Sequence, residues 1–428
     1  MTQEKAFNKS RANFGIKGWI FIFYVFVAYF VNCLLGNSWQ VAGEFWSEMY
    51  GWNTTTIITC NSIGQFLSVI TGFIIGWLLV RKVSAKLLAI ICSAITFIAM
   101  TIVAFTSSFA IACLCTVICT LAVQNWTYSI NSVFVATWFP RKKGIVMGLG
   151  TIGVPAGSGL CAIILYAVAG ISNISWAMFV FAVIALVGVM LAVFYVTDDP
   201  AQRGYHPDND ETLTQEELIR MKEEDRRMEE SSVWTPRRIL ATKTTYLIVI
   251  PIGLEQLLCA GTLSTLIMKL SSYGFGSDMS VKLILVSAVC AMPASYLFGL
   301  LDSKVGPRRA NMLACCMAIA SFIAAIFVNI PCLLLHVIFL GAVVGGASNF
   351  LTSTVLEYWG KANFKRVYGV LLPLVFLIGA LGPAFCVQVA TRTSYMTLTI
   401  ISLIFACLAL LLYSMIKTDF VKKRESQF

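Results

Sequence analysis

The chain has 428 residues, 58% hydrophobic and 12% charged, with mean hydropathy +0.82, whereas a soluble globular protein carries roughly 25% charged residues, so a water-soluble domain is excluded. The net charge of +10, from 31 Lys and Arg against 21 Asp and Glu, would point to nucleic acid if clustered. The basic residues instead sit between apolar runs, with no aromatic-interleaved patch, which excludes nucleic acid as a partner.

Twelve apolar runs long enough to cross a bilayer as helices follow one another, at about 16–36, 55–80, 84–106, 109–137, 145–168, 174–196, 245–270, 280–301, 309–329, 332–356, 368–390 and 394–416. No small-residue cleavage site follows the first run, so it is expected to be retained. The reading is an all-α integral membrane protein of two pseudo-symmetric six-helix bundles. Its expected parts are a tail at 1–15, a bundle at 16–196, a charged linker at 197–243, a second bundle at 244–416 and a tail at 417–428.

Of the basic residues, 28 fall on the side of the termini and linker, and three, Lys269, Lys282 and Arg392, on the other. That split predicts both termini and the linker in the cytoplasm. No Lys or Arg is expected deep in any span. The linker carries twelve acids between Asp198 and Glu230, and Thr214 with Glu217 spells a capping box that opens a short helix. That helix is expected to lie under the two halves, with Leu218, Met221 and Met228 near one face.

The fourteen cysteines all fall inside apolar runs and read as small packing residues rather than a disulfide framework. Two histidines and no paired cysteines in a loop leave no structural zinc signature, and no cofactor is expected. Gly148, Gly150 and Gly153 spell GxGxxG but follow no strand. Inside a span such glycines let helices approach closely, here as an expected interface between the halves. No phosphate-binding GxxxxGK[ST] occurs, so neither an enzyme nor a nucleotide-driven pump is expected.

Among the acids, only Glu255 stands near the middle of a span. A carboxylate at that depth costs about 2.5–3.5 kcal/mol and normally faces the protein interior or a wet cavity. Pro251, Glu255, Cys259 and Thr262 make one weakly polar stripe, and Glu255 is the candidate for proton coupling or substrate contact. His336, in the outer third of the tenth span, is the second candidate. Uncharged polar residues form further stripes: Asn61, Gln65 and Ser68 on the second span, and Gln124, Tyr128 and Asn131 on the fourth. With Asn32, Asn349 and Ser353 they are expected to line one cavity, although amides also serve as interhelical glue. Trp39, Trp46, Trp52, Tyr358 and Trp359, near span ends, read as an aromatic belt.

The halves echo each other. Gly76–Lys82 and Gly299–Arg309 follow the second span of each half, and Gly150–Pro155 is matched by Gly379–Pro383. Two six-helix repeats with a site between them is a transporter architecture. On these residues the chain resembles the major facilitator superfamily along essentially its whole length. GLLDSKVGPRR, Gly299–Arg309, looks like that family's signature loop, and Val80 stands where the first-half copy has an acid. Trp138–Gly144 and Tyr358–Phe364 with Tyr368 and Gly369 are similar to the oxalate/formate antiporter and monocarboxylate porter branch. The resemblance implies a cytoplasmic gate of Arg81, Asp302, Lys304, Arg308 and Arg309.

It further implies a monomeric transporter of the plasma membrane, prokaryotic by its short loops. It would move a small organic solute, a carboxylic acid on this resemblance, by alternating access with proton symport or solute exchange. Two alternatives stay open, an exporter of hydrophobic or cationic compounds and a membrane sensor without flux.

Overall fold

The computed structural model describes residues 13–275, 277–347, 349–417 and 421, so most of both expected tails lies outside the described residues. No strand occurs among the described residues. The first half contains α1 (Gly15–Tyr50), α2 (Thr54–Val80), α3 (Ala85–Phe105), α4 (Phe109–Gln124), α5 (Asn131–Trp138), α6 (Lys143–Gly150), α7 (Gly153–Ile171) and α8 (Ile174–Phe194). A π-helical turn, Asn125–Ile130, joins α4 to α5 as one span, and Thr151 with Ile152 interrupts the span formed by α6 and α7. The linker holds α9 (Gln215–Glu230) and α10 (Pro236–Leu240). The second half contains α11 (Lys243–Ser272), α12 (Ser277–Val305), α13 (Pro307–Ala324), α14 (Ile330–Ala347), α15 (Phe350–Ala380), α16 (Gly382–Arg392) and α17 (Tyr395–Ser414).

Local chemistry sets several boundaries. Asn53, Ser84, Asn173 and Ser394 cap α2, α3, α8 and α17, each side chain accepting a backbone N–H of the first turn. Gly306, at φ 86°, turns the chain into α13, whose first residue is Pro307. Gly360, at φ 72°, breaks α15 and so separates the tenth span from the eleventh. Among the described residues eleven stretches are long and apolar enough to cross a membrane; α13 completes the twelve, its apolarity diluted by Arg308, Arg309 and Asn311 in its first turns.

The aromatic belt is corrected. With nothing to break the helix before Gly51, α1 continues to Tyr50, well past the expected end at residue 36. Trp39, Trp46 and Trp52 are consequently buried in the protein, Trp46 packing against Trp52 at 5.7 Å between ring centroids, and Trp359 of α15 is buried against Trp234 of the linker at 6.0 Å.

Within the first half α1 packs on α7 and α3 on α8; within the second, α12 packs on α14, and α11 on α16 and α17. The halves meet along two seams, α2 with α15 and α6 with α12. Both seams are made by glycine. A Cβ on Gly148 would lie 2.7 Å from the Ser295 carbonyl oxygen, which permits backbone contact that no larger residue allows. Of the GxGxxG set, Gly148 alone serves this seam, while Gly150 and Gly153 pack on α1 at Val25 and Phe26.

The linker docks beneath both halves. Tyr205 stacks on Trp138 at 5.4 Å and donates its hydroxyl proton to the Phe14 carbonyl at 3.0 Å. Thr214 and Glu217 form the expected capping box at the start of α9. From that helix Asp225 pairs with Lys361 of the second half at 3.0 Å, and Glu230 lies 3.8 Å from Lys82 of the first.

Candidate functional site

Between the halves lies a cavity of about 280 Å³. Gln65, Ser68, Gln124, Tyr128 and Ser158 line it from the first half, and Gln256, Cys259, Leu263 and Phe376 from the second. No charged residue lines it. The side-chain amides of Gln65, Gln124 and Gln256 make no hydrogen bond among the described residues, so three carbonyls and six N–H donors remain for a solute.

Three layers close the cavity on the linker side. Tyr128 meets Phe376 edge to face at 4.8 Å between centroids. The Tyr368 hydroxyl next reaches across the seam to Ser132 Oγ at 2.7 Å and donates to the Tyr128 carbonyl at 3.2 Å. On the α6–α12 seam, Thr151 Oγ1 contacts Ser295 Oγ at 2.6 Å and donates to Asn349 Oδ1 at 2.5 Å. Asp302 accepts from Ser353 and lies against Gly144, while Lys143 pairs with Glu357 at 3.4 Å. On the opposite side Asn37 and Ser158 are exposed, so the cavity opens away from the linker.

The family model described as Major Facilitator Superfamily matches residues 21–383. The chain belongs to this superfamily. No curated protein matches it. Among solved structures it is similar to the proton:xylose symporter XylE bound to 6-bromo-6-deoxy-D-glucose, at 13% identity and TM-score 0.72, with 91% of this chain and 94% of that one covered. It is also similar to the human organic anion transporter MFSD10 (TETRAN), at 15% identity and TM-score 0.65, covering 92% of this chain and 99% of that one. At those identities the likeness shows the fold. The chain is therefore a multi-pass membrane transporter of the superfamily rather than an enzyme.

Within this superfamily member, the expected cavity residues divide. Gln65, Gln124 and Tyr128 line the cavity, and Asn32 sits behind it with Nδ2 donating to the Tyr128 hydroxyl at 3.5 Å. The other expectations are corrected. Asn61 accepts from Thr120 at 2.9 Å and ties α2 to α4, and Asn131 is wholly buried outside the cavity with neither amide atom hydrogen-bonded. Asn349 and Ser353 belong to the closing layers.

Glu255 does not face the cavity in this conformation. It is 2% exposed, inside the second half, where Cys315 Sγ donates to Oε1 at 3.1 Å and the Tyr413 hydroxyl to Oε2 at 3.3 Å. His336 is fully buried; its Nδ1 meets Ser321 Oγ at 2.8 Å, and Nε2 makes no hydrogen bond. One basic residue at a span end, in the last turn of α11, is nonetheless buried in the protein. Lys269 is 5% exposed, because its ammonium turns inward and donates to Thr399 Oγ1 at 2.9 Å.

Of the residues expected at the gate, Asp302 meets the seam between the halves. Arg81 stacks over Trp77 at 4.1 Å, Lys304 and Arg309 are exposed, and Arg308 donates to the Tyr413 and Ser414 carbonyls at the end of α17, within its own half. Sequence reasoning missed Gln256, one residue beyond the more conspicuous Glu255, and the hydroxyls of Thr151, Ser295 and Tyr368. Their signal was a polar residue on a stripe of small residues, as Gln256 stands one turn from Ala260.

Asp302→Asn keeps the shape of the closing contact but removes its charge. A hydrogen bond to a charged group contributes about 1.5–3 kcal/mol against about 1 for a neutral one. Solute exchange in proteoliposomes is expected to slow several-fold with little change in half-saturation concentration; an unchanged rate would leave Asp302 no part in closure.

Proposed function

We propose that this transporter carries a small organic solute, a carboxylic acid first among candidates, by alternating access coupled to protons through Glu255. The observation that carries the reading is the cavity: three uncommitted glutamine amides between two halves that are sealed on one side and open on the other. Its N–H groups suit carboxyl oxygens, and its size suits a compact solute. The proton symport named for XylE and the organic anions named for MFSD10 agree with this reading. The absence of any acid among the lining residues argues against export of cations. We place the protein in the plasma membrane as a monomer, with the linker face cytoplasmic.

Counterflow in proteoliposomes tests the solute class. Radiolabelled lactate, oxalate, glycerol and tetraphenylphosphonium are each offered to vesicles preloaded with the same unlabelled compound. A carboxylic acid should overshoot and tetraphenylphosphonium should not. Overshoot of the lipophilic cation would overturn the solute class, and binding without counterflow of any compound would mark a sensor.

A further inference from the structure

Glu255 has two neighbourhoods. One helical turn along α11, Cys259 lines the solute cavity, so that side leads to the substrate. Both carboxylate oxygens nevertheless point the other way, to Cys315 of α13 and Tyr413 of α17. Along α13 the same face carries Arg308, Asn311 and Cys315, spaced three and four residues apart. Arg308 sits at the linker face, fixed to the end of α17 by its bonds to the carbonyls of Tyr413 and Ser414.

Between the two ends stands Asn311. It is fully buried, its side-chain amide lies within hydrogen-bonding reach of the Tyr413 hydroxyl, and its remaining donors and acceptor find no other partner among the described residues. Buried polar atoms left open in this way are the complement that a bridging water needs. The titratable groups facing Glu255 are Cys259, Cys315 and Tyr413, with Cys316 and Cys407 beside Cys315. No charged side chain pairs with Glu255 among the described residues.

We infer that Glu255 exchanges its proton with the linker face through Tyr413 and Asn311, inside the second half, and not through the solute cavity. In the releasing step the O–H bond on Oε2 breaks as its proton moves to the Tyr413 oxygen. The Tyr413 O–H, turned from Oε2 toward a water held by Asn311, breaks in the same step, and its proton passes to that water and out to solvent at the linker face, where Arg308 stays protonated. Glu255 is left as carboxylate and Tyr413 is restored. The solute and the proton would then leave toward the same side by separate routes, so the proton can be released while the three closing layers are intact.

The inference rests on the coupling role proposed for Glu255, yet its route can be measured without any solute. Infrared spectra of the reconstituted protein, exchanged into D₂O, follow the carboxyl C=O stretch that disappears in Glu255→Gln, at a pD low enough for the band to be present. Tyr413→Phe and Asn311→Leu should each slow deuteration of that band at least about tenfold. The amide II band of the same samples reports backbone opening and should exchange at the wild-type rate. Cys259→Leu, on the cavity side, should leave the carboxyl rate unchanged.

Unaltered deuteration in both Tyr413→Phe and Asn311→Leu would overturn the route, as would slowing confined to Cys259→Leu. Amide II exchange that changes in step with the carboxyl band would reduce both residues to packing and would also overturn it. Failure of the coupling role itself reads out elsewhere, as normal gradient-driven uptake by Glu255→Gln.

Discussion

Glu255→Gln is expected to abolish proton-driven accumulation while solute exchange continues. Glutamine preserves the shape of the side chain, its one carbonyl oxygen can accept from Cys315 or Tyr413 while its NH2 donates to the other, and it cannot titrate. A carboxylate at this depth costs about 2.5–3.5 kcal/mol when charged, the scale of free energy that proton binding can couple to the transport cycle. Without a coupled proton, the solute should only equilibrate across the membrane instead of accumulating. Exchange need not release the proton, and should persist and become less dependent on pH. Accumulation and counterflow of one labelled solute, measured on the same vesicles, check this. A variant that accumulates normally would assign Glu255 to packing, and a variant that loses both activities would assign it to substrate recognition.

The second large effect is expected at the seam between α2 and α15. A Cβ on Gly76 would lie 2.8 Å from the Gly369 Cα, and one on Gly369 would lie 2.9 Å from the Gly76 Cα. Gly76→Leu therefore sets a whole side chain against backbone that cannot yield. Overpacking of this kind costs about 1–3 kcal/mol, and here it falls on one conformation only, the one closed at the linker face. That state should lose population by roughly 5–150-fold, with exchange slowed accordingly. Distances between spin labels on the linker face of the two halves should lengthen in the variant. Unchanged distances with normal exchange would show that the seam need not close.

How much of this was legible in the sequence follows from the physics of each signal. Spans are written as long apolar runs, and their ends as local chemistry, as at Asn53 and at Gly306 with Pro307. The capping box at Thr214 was readable for the same reason: every partner lies within three residues. Direction around a helix was harder to read. Asn61 and Gln65 stand one turn apart on α2, yet one meets Thr120 and the other the cavity. A neighbouring helix and a solute offer an amide the same hydrogen bonds, so only tertiary placement separates the two roles.

Charge near a membrane edge is ambiguous in a similar way. Lys269 lies three residues from the end of α11 and, in sequence, resembles any loop lysine, but its long stem lets the ammonium reach Thr399 within the bundle. Arg81, Lys304 and Arg309 satisfy a rule about membrane orientation without entering the gate. Asp302 was the informative member of that loop, because an acid there serves no orientation rule and its carboxylate meets Ser353 and Gly144 at the seam.

The central claim is that one cavity between the halves is exposed first to one side of the membrane and then to the other. A single cysteine at position 256, in a variant lacking the fourteen native cysteines, tests it directly. In right-side-out vesicles an impermeant thiol reagent should label Gln256→Cys from outside, and a solute that gives counterflow should slow the labelling. In inside-out vesicles labelling should be slow in wild-type background and fast when Gly76→Leu is added. Labelling from the outside that is indifferent to solute, or labelling from the linker side that Gly76→Leu leaves unchanged, would contradict the account.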